Sequence, residues 1–566
     1  MGYETAIAVG ITVVSLLALY QYQYKQLDKK LPPGPSRIPI FGNLFQVPTK
    51  QPYPLFRQWA KEYGPIFSLR LGGQTVVVLN TAEAAHEILD NRAKTYSSRT
   101  PPHVAHDIMS DGQRFVLLPY EKEWKAAKKT MQTVFNSTTV KGMRPTQELE
   151  SRVALWDLME HGERSFASEF DYMKEEEAPE THWFSIPRRY TTSVAMTAIY
   201  GVRVNRFINN PDLHKVYEIM SNFALQAQPG KYLADAFPIV RKLPDVLAPW
   251  RETARKLHDW EMGLYGKLVD LCKTDLLQGK EHVTNYVTTY LKQRLDAGVQ
   301  DAPGKGVRED GHLTDKLLAY TAGTILEGGS DTSATTMQNF LMFMVAHPHF
   351  LRKAVEEIDA VVGENRMPDF DDEFCLPYLR ACIKETLRRR PPTIMGIPHS
   401  SDEDDYYGGY LIPKNSQVIG NVWAIHMDPT TYPNPFAFNP ERFLQTDEEQ
   451  KTWASGPNYK DRVHYVFGWG RRFCPGHDIA ESSLFIVLSR ILWAFDLKTK
   501  KHPATGADDI PDMNDESNFT DGFVSIPKIY PLAFIPRSEN KASMIRKAFA
   551  DAQDQWELLG MEADQR

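Results

Sequence analysis

One cysteine has the surroundings that a metal-binding thiolate requires. Residues 467–476 read FGWGRRFCPG, so Cys474 follows a glycine-rich loop with two arginines and precedes Pro-Gly, where a helix can begin. Backbone N–H groups at a helix N-terminus and nearby positive charge both lower the pKa of a thiol. The alternative is a buried structural cysteine, and for an isolated cysteine that alternative is the more common one.

A second segment offers groups that transfer protons. Residues 328–333 read GGSDTS inside a long helical pattern. Paired glycines within a helix cost about 1 kcal/mol each relative to alanine, so they indicate close approach or local distortion. Gly328 and Thr332 are four residues apart and share a face, which leaves space for a small ligand beside the threonine hydroxyl and Asp331. A helix–helix crossing with a capped polar residue explains the same residues equally well.

The two segments together resemble motifs of the cytochrome P450 monooxygenases. Residues 467–476 match the haem-ligand loop of that family, and Gly-acid-Thr matches its oxygen-activation motif. The resemblance implies that the Cys474 thiolate is the axial ligand of haem b and that Phe467 packs on the thiolate side. It also implies that Thr332 hydrogen-bonds bound dioxygen while Asp331 helps to relay protons, a contribution of roughly 10²–10⁴-fold to rate.

Two arginine motifs support the same resemblance. Glu385 and Arg388 are three residues apart, and on an exposed helix such a pair contributes only about 0.2–0.5 kcal/mol. Residues 439–443 read NPERF and match the second arginine motif of the family. The implied triad of Glu385, Arg388 and Arg442 is structural and supports the loop behind the haem.

The haem propionates need cations or N–H donors, and four residues match the family positions for them. These are Trp124, Lys128, His399 and Arg472. Lysine at position 128 departs from the usual arginine, since it keeps the charge but loses the bidentate geometry. Another lysine of the 125–129 segment could substitute for it, and a solvated basic helix face is the alternative interpretation.

The elements that must position these groups are mostly helices. A strand is predicted over Val76–Leu79, a helix starting at Thr81, and a long helix from an N-cap at Thr314 to the His347-Pro348 step. An apolar stripe after Ser538 predicts a C-terminal helix docked on the body, with a membrane or partner role as the alternative. The predicted fold class is mainly α with a small β part, the cytochrome P450 fold.

Composition limits the partners and the compartment. The chain has 566 residues, a net charge of −7 and four scattered cysteines. A mildly acidic balance gives no support to nucleic-acid binding, and so few cysteines form neither a disulfide framework nor a cysteine-rich zinc site. We expect the folded part to face a reducing compartment.

The N-terminus reads as a single transmembrane helix. The Tyr3–Tyr24 segment is apolar with tyrosines at both ends, and Lys25, Lys29 and Lys30 follow it. Basic residues after the run, with no small-x-small site, favour an uncleaved anchor over a cleaved signal peptide. The body is then expected on the cytoplasmic side of the endoplasmic reticulum membrane.

The predicted organisation has four parts. Residues 1–24 are the anchor, 25–40 a basic, proline-rich hinge, 41–537 the catalytic domain and 538–566 a C-terminal helical extension. The prolines of the LPPGP segment disfavour helix, which is the reason for the hinge.

The resemblance implies insertion of one oxygen atom from O2 into a lipophilic small molecule. Electrons would come from NADPH through a cytochrome P450 reductase, with cytochrome b5 as a possible second donor. Two segments, 399–405 and 421–426, resemble fungal secondary-metabolite enzymes.

Other functions remain open. Alternatives within the family are an oxygen-independent isomerase or dehydratase and a catabolic aromatic hydroxylase. The alternative outside the family is a non-enzymatic haem-binding or electron-transfer protein. Apolar pocket walls are expected at residues 103–115, Leu326, 394–397 and Phe523-Val524.

Overall fold

The structure is a computed structural model. It describes residues 26–161, 183–206, 210–280, 283–444, 459–501, 506 and 508–561. The predicted anchor, Tyr3–Tyr24, lies outside the described residues. Among the residues that are described, no helix is long and apolar enough to cross a membrane.

Helices dominate the chain, as the sequence predicts. In chain order the α-helices are α1 Tyr53–Tyr63, α2 Ala82–Ala85, α3 Ala93–Tyr96, α4 Lys122–Gln132, α5 Ser137–His161, α6 Ile186–Tyr200, α7 Pro211–Gln226, α8 Leu233–Ala236, α9 Trp250–Leu277, α10 Tyr286–Asp296, α11 Asp315–Ala346, α12 Pro348–Val361, α13 Pro377–Arg389, α14 Val422–His426, α15 His477–Ala494 and α16 Glu539–Leu558. Two π-helical segments, His86–Asn91 and His103–Ile108, lie near the N-terminal side of the chain.

Within the described residues the strands form three small sheets. They are β1 Ile66–Leu71, β2 Gln74–Leu79, β3 His399–Ser400, β4 Asp405–Tyr407, β5 Tyr410–Ile412, β6 Gln417–Gly420, β7 Phe495–Thr499 and β8 Leu532–Pro536. The four-stranded sheet has the order β1-β2-β6-β3, with β2 and β6 parallel and the other pairs antiparallel. The predicted strand at Val76–Leu79 is therefore confirmed as part of β2, which is one of the two inner strands of this sheet.

Helix α11 runs through the middle of the main hydrophobic core. Its start is fixed as predicted, because the Thr314 side chain accepts a hydrogen bond from the N–H of Leu317. The helix packs against α6, α9, α13 and α15, so both of its ends are buried. The cysteine loop immediately precedes α15, and α15 packs against α11.

Both terminal segments of the described chain lie on this body. The backbone N–H of Ser68 donates to the carbonyl of Pro33 at 2.8 Å, so the proline-rich hinge packs on β1. The predicted C-terminal helix is present as α16, which packs along α5. Its Phe549 ring stacks on Trp156 with centroids 4.7 Å apart.

Candidate functional site

Glycines shape the backbone of the cysteine loop. Gly468 and Gly470 have φ of 79° and 54°, values that favour glycine. A Cβ at position 470 would lie 2.3 Å from the carbonyl oxygen of Leu89, so a larger residue cannot fit without a backbone shift. The Cys474 N–H donates to the carbonyl of Phe467 at 2.9 Å and closes the loop. The loop therefore holds the cysteine in one position.

The Cys474 sulfur lies deep in the protein yet keeps partial accessibility, so it lines an internal space. Burial raises the pKa of the thiol, and the N–H of Gly476 and the ammonium of Lys128 only partly offset that rise. The sequence predicts that the two loop arginines supply the positive charge near the thiol. That prediction is wrong, because the cation that lowers the pKa of Cys474 is Lys128. A bound metal ion would remove the thiol proton outright.

The two arginines of the loop bind elsewhere. Arg472 donates to the carbonyls of Ser97 and Leu118 at 2.7 and 2.6 Å, and Arg471 donates to the hydroxyl of Tyr120. These contacts draw the guanidinium groups away from the sulfur and pin the loop to the segment that precedes α4.

Next to the loop is a pocket of buried donors that fits an anionic group. The Arg472 guanidinium lies 4.3 Å above the ring of Trp124, whose buried Nε1 has no partner within the described residues. Burial lowers the pKa of Arg472 to about 8, with the neighbouring Arg99 charge acting in the same direction, and burial lowers the pKa of Arg99 to about 9. Carboxylates placed here would satisfy the indole N–H and both guanidinium groups.

Arg99 is a residue that sequence reasoning missed. It donates to the carbonyls of Ile397 and Pro398 at 2.5 and 2.6 Å, directly before His399. His399 itself contacts the carbonyl of Tyr96 through Nδ1 at 2.7 Å. Burial holds the pKa of His399 well below its usual range, so the ring is neutral. A lone arginine in a polar loop gave no usable sequence signal for this role.

The lysines of α4 divide between the interior and the surface. Lys128 is half-buried, and burial lowers its pKa while Cys474 acts in the opposite direction. Lys125 and Lys129 are exposed, and the Lys125 ammonium lies 4.5 Å above the ring of Tyr120. Of the candidate lysines, the structure turns Lys128 inward.

One face of α11 is open in its middle. The accessible residues Thr324, Ile325, Gly328, Gly329 and Thr332 follow helical spacing within an otherwise buried helix. A Cβ at Gly328 would meet no atom within 4 Å, so there is empty volume beside it. The Thr332 hydroxyl donates to the carbonyl of Gly328 at 2.8 Å and borders this space. The prediction of space beside Gly328 and Thr332 is confirmed.

Asp331 points to a different neighbour. Its Oδ1 accepts from Arg188 of α6, with Nη2 at 2.7 Å and Nε at 2.9 Å. The Arg188 guanidinium also lies 3.8 Å above the ring of Tyr217. Sequence reasoning missed this arginine, because α6 is more than a hundred residues away along the chain. Asp331 is thus a carboxylate held by an ion pair one residue from Thr332.

The three residues of the predicted triad meet in the structure. The Glu385 carboxylate accepts from Arg388 at 2.7 and 2.8 Å and from Arg442 Nε at 3.2 Å. His426 extends the cluster to the cysteine loop, because its Nε2 accepts from the N–H of Tyr465 at 3.0 Å. Its Nδ1 lies 3.0 Å from the carbonyl of Arg388 and therefore carries the proton.

The expected pocket walls are only partly brought together. Leu326 is fully buried in the main core. Ile394 packs in a separate cluster with Trp423 and Met427, and Phe523 is 40% exposed. The 103–115 segment contacts α9, which faces α11.

Comparison with known proteins places this fold and site in a family. The family model described as cytochrome P450 matches residues 32–528. The chain is 54% identical over 562 residues to cytochrome P450 monooxygenase 231 of Postia placenta, covering 99% of both chains. It is 35% identical to cytochrome P450 monooxygenase fogE of Aspergillus ruber, covering 96% of this chain and 94% of that one.

A solved structure shares the fold. It is described as a zebra fish cytochrome P450 with abiraterone, and it matches with a TM-score of 0.65 and 22% identity over 86% of this chain and 100% of that chain. The fold and site thus define a haem-thiolate protein of the mainly α class. The chain belongs to the cytochrome P450 family, and its activity is that of a monooxygenase.

Proposed function

We propose that this monooxygenase takes electrons from NADPH through a cytochrome P450 reductase and oxidises a lipophilic small molecule of fungal secondary metabolism. The overall reaction consumes substrate, O2, NADPH and one proton, and yields oxygenated substrate, water and NADP⁺. The resemblance to fogE and to virE of Hypocrea virens supports the fungal assignment. The observation that carries the proposal is the open face at Thr332 on α11, a helix that packs against the helix following Cys474.

The residues of the site fit haem b. The Cys474 thiolate would ligate the iron, and Phe467 lies on the cysteine side of the site. Trp124, Lys128, Arg472 and Arg99 would hold the propionates. His399 would join them once it is protonated at Nε2, because its Nδ1 proton already faces the Tyr96 carbonyl. When bound, the haem supplies the oxygen-activating redox chemistry, which a thiolate ligand favours.

The chain's own groups position the reactants and move protons. The Thr332 hydroxyl faces the open space, so its proton is available there once it turns from the Gly328 carbonyl. Asp331 keeps a carboxylate one residue away, and Arg188 holds it in place. The buried residues on either side of this face of α11 exclude bulk water.

The membrane location is also a proposal. We propose that residues 1–24 anchor the chain in the endoplasmic reticulum membrane, with the body in the cytoplasm. Support comes from a surface of apolar side chains around Phe41, which lies close to the start of the described chain. The centroid of the Phe41 ring lies 5.2 Å from that of Phe45 and 6.1 Å from that of Phe237. Phe45 and Ile239 are each 71% exposed, so this surface suits a lipid headgroup boundary.

The test uses the full chain with its reductase in a microbial host, where an untargeted metabolite comparison identifies the product. Product formation should need both dioxygen and the reductase. Thr332→Ala should lower the product formed per NADPH by at least about tenfold, because general acid catalysis contributes about 10²–10⁴-fold to a rate. Thr336→Ala is the matched control, because Thr336 makes the same backbone hydrogen bond one turn later. Product formed without dioxygen, or unchanged coupling in Thr332→Ala, would contradict the proposal.

A further inference from the structure

A buried ionic cluster lies beside the open face of α11. Arg114 is fully buried and donates through Nη1 to both carboxylate oxygens of Glu327 and through Nη2 to Glu261. Two phenols complete the cluster: Tyr265 donates to Glu327, and Tyr320 donates to Glu261 at 2.9 Å. The cluster thus joins three elements, namely the loop after the second π-helix, α9 and α11.

The charges of this cluster do not balance. One guanidinium faces two carboxylates, and the tyrosines add hydrogen bonds but no positive charge. Burial raises the pKa of Glu261 to about 7. The Arg114 charge lowers this pKa, whereas the neighbouring Glu327 charge raises it further. The cluster can therefore accept one more positive charge or hydrogen-bond donor.

Glu327 is the carboxylate that reaches the internal space. Its side chain is 10% exposed, against 1% for Glu261, and it directly precedes the open position at Gly328. Because α11 is enclosed by the core, this exposure opens into the protein. A carboxylate offers about four acceptor positions, and the described contacts of Glu327 use three of them.

A second polar atom lies in the same region. His106 belongs to the His103–Ile108 π-helix and is 3% exposed, and its Nδ1 has no partner within the described part of the chain. Burial lowers the pKa of this ring to about 4, and Arg114 is close enough to act in the same direction. The region therefore holds an unused neutral nitrogen as well as an unused carboxylate position.

We propose that Glu327 is a specificity-determining residue that binds a hydrogen-bond donor of the substrate, a protonated amine most strongly. This contact would fix which end of the substrate enters first. The inference deepens the proposed function and rests on it, because it assumes that substrate occupies the space beside Gly328.

The test measures ligand binding to the haem-loaded full chain. The probes are 1-(aminopropyl)-, 1-(aminobutyl)- and 1-(aminohexyl)imidazole, each paired with the 1-alkylimidazole of similar length. The imidazole binds the haem iron and shifts its absorption, which gives the dissociation constant, while the tail extends into the cavity. We expect at least one amine to bind about tenfold or more tightly than its alkyl partner, as for one charge-assisted hydrogen bond.

Three variants locate the contact. Glu327→Gln should abolish the amine preference and leave alkylimidazole affinity unchanged. Glu261→Gln removes the excess charge of the cluster but keeps the exposed carboxylate, so it should weaken the preference without abolishing it. Glu327→Asp keeps the charge on a shorter side chain and should move the preference to a longer tail.

Three results would overturn the inference. They are equal affinity of amine and alkyl probes for the wild-type chain at every length, an amine preference that survives in Glu327→Gln, and equal loss in Glu261→Gln and Glu327→Gln. The wild-type measurement alone decides the matter if a variant fails to bind haem. Failure of the proposed function is separate, since it appears as product formation without dioxygen while these titrations still work.

Discussion

Two buried ionic clusters of this protein contain arginine and glutamate in opposite proportions. The Glu385 cluster lies near the cysteine loop, and the Glu327 cluster lies beside the open face of α11. In the first, two arginines share one carboxylate. In the second, one arginine faces two carboxylates. Both lie in the interior, where an uncompensated charge is costly.

The two clusters resolve their excess charge differently. Arg388 donates its remaining N–H groups to the carbonyls of His426 and Pro435 at 2.8 and 3.0 Å, so backbone dipoles absorb the extra positive charge. In the Glu327 cluster, tyrosine hydroxyl groups take the place of the backbone carbonyls. They do not neutralise the extra negative charge, so the cluster can still bind a proton or a ligand. The first cluster is therefore a fixed support, whereas the second can change its charge.

The largest expected effect comes from removing the shared carboxylate. Glu385→Gln leaves Arg388 and Arg442 uncompensated, and neither can lose its proton, so we expect a loss of about 3–5 kcal/mol in the free energy of unfolding. Haem content should fall with it, because His426 links this cluster to the loop of Cys474. The control is Glu441→Gln, whose exposed pair with Lys353 contributes about 0–1 kcal/mol. Thermal unfolding and haem absorbance measure both, and equal effects of the two variants would remove the distinction.

A smaller and pH-dependent effect is expected in the other cluster. Arg114→Met leaves two carboxylates without a cation, and we expect a cost of about 2–4 kcal/mol at neutral pH. Protonation of Glu261 should recover part of this loss as the pH falls, because Arg114 lowers the pKa of Glu261 and that pKa rises further without it. Thermal midpoints of this variant and of Glu385→Gln, followed from neutral to mildly acidic pH, test the contrast. A cost in Arg114→Met that does not change with pH would show that the Glu327 cluster is as fixed as the first one.

The most gradual expected effect is the titration of Glu261 in the wild-type chain, which is spread over more than two pH units. Its pKa rises from 4.5 to about 7, so the folded state holds a proton that the unfolded state releases. Stability from this group is full below the unfolded value and is lost as the pH rises through about 7, by about 1.4 kcal/mol for each unit of the shift. Thermal midpoints compared with those of Glu261→Gln isolate the effect, since the amide does not titrate. Parallel pH profiles of the two proteins would mean that Glu261 stays ionised throughout.

The sequence determined the elements and the local motifs. The Thr314 cap, the glycines around Cys474 and the β-branched run of β2 act through their own backbone preferences, so short stretches of sequence were enough. The four-residue spacing of Gly328 and Thr332 likewise fixed which residues share a helix face. The spacing of Glu385 and Arg388 gave one half of the triad in the same way.

Only the tertiary structure decided which charges meet. Arg188 reaches Asp331, Arg99 lies beside Arg472, and Arg114 joins two glutamates from separate helices. The tertiary structure also places Lys128, rather than the loop arginines, near the sulfur of Cys474. The physical reason is that burial and charge pairing depend on contacts between elements distant in sequence, which no local pattern encodes.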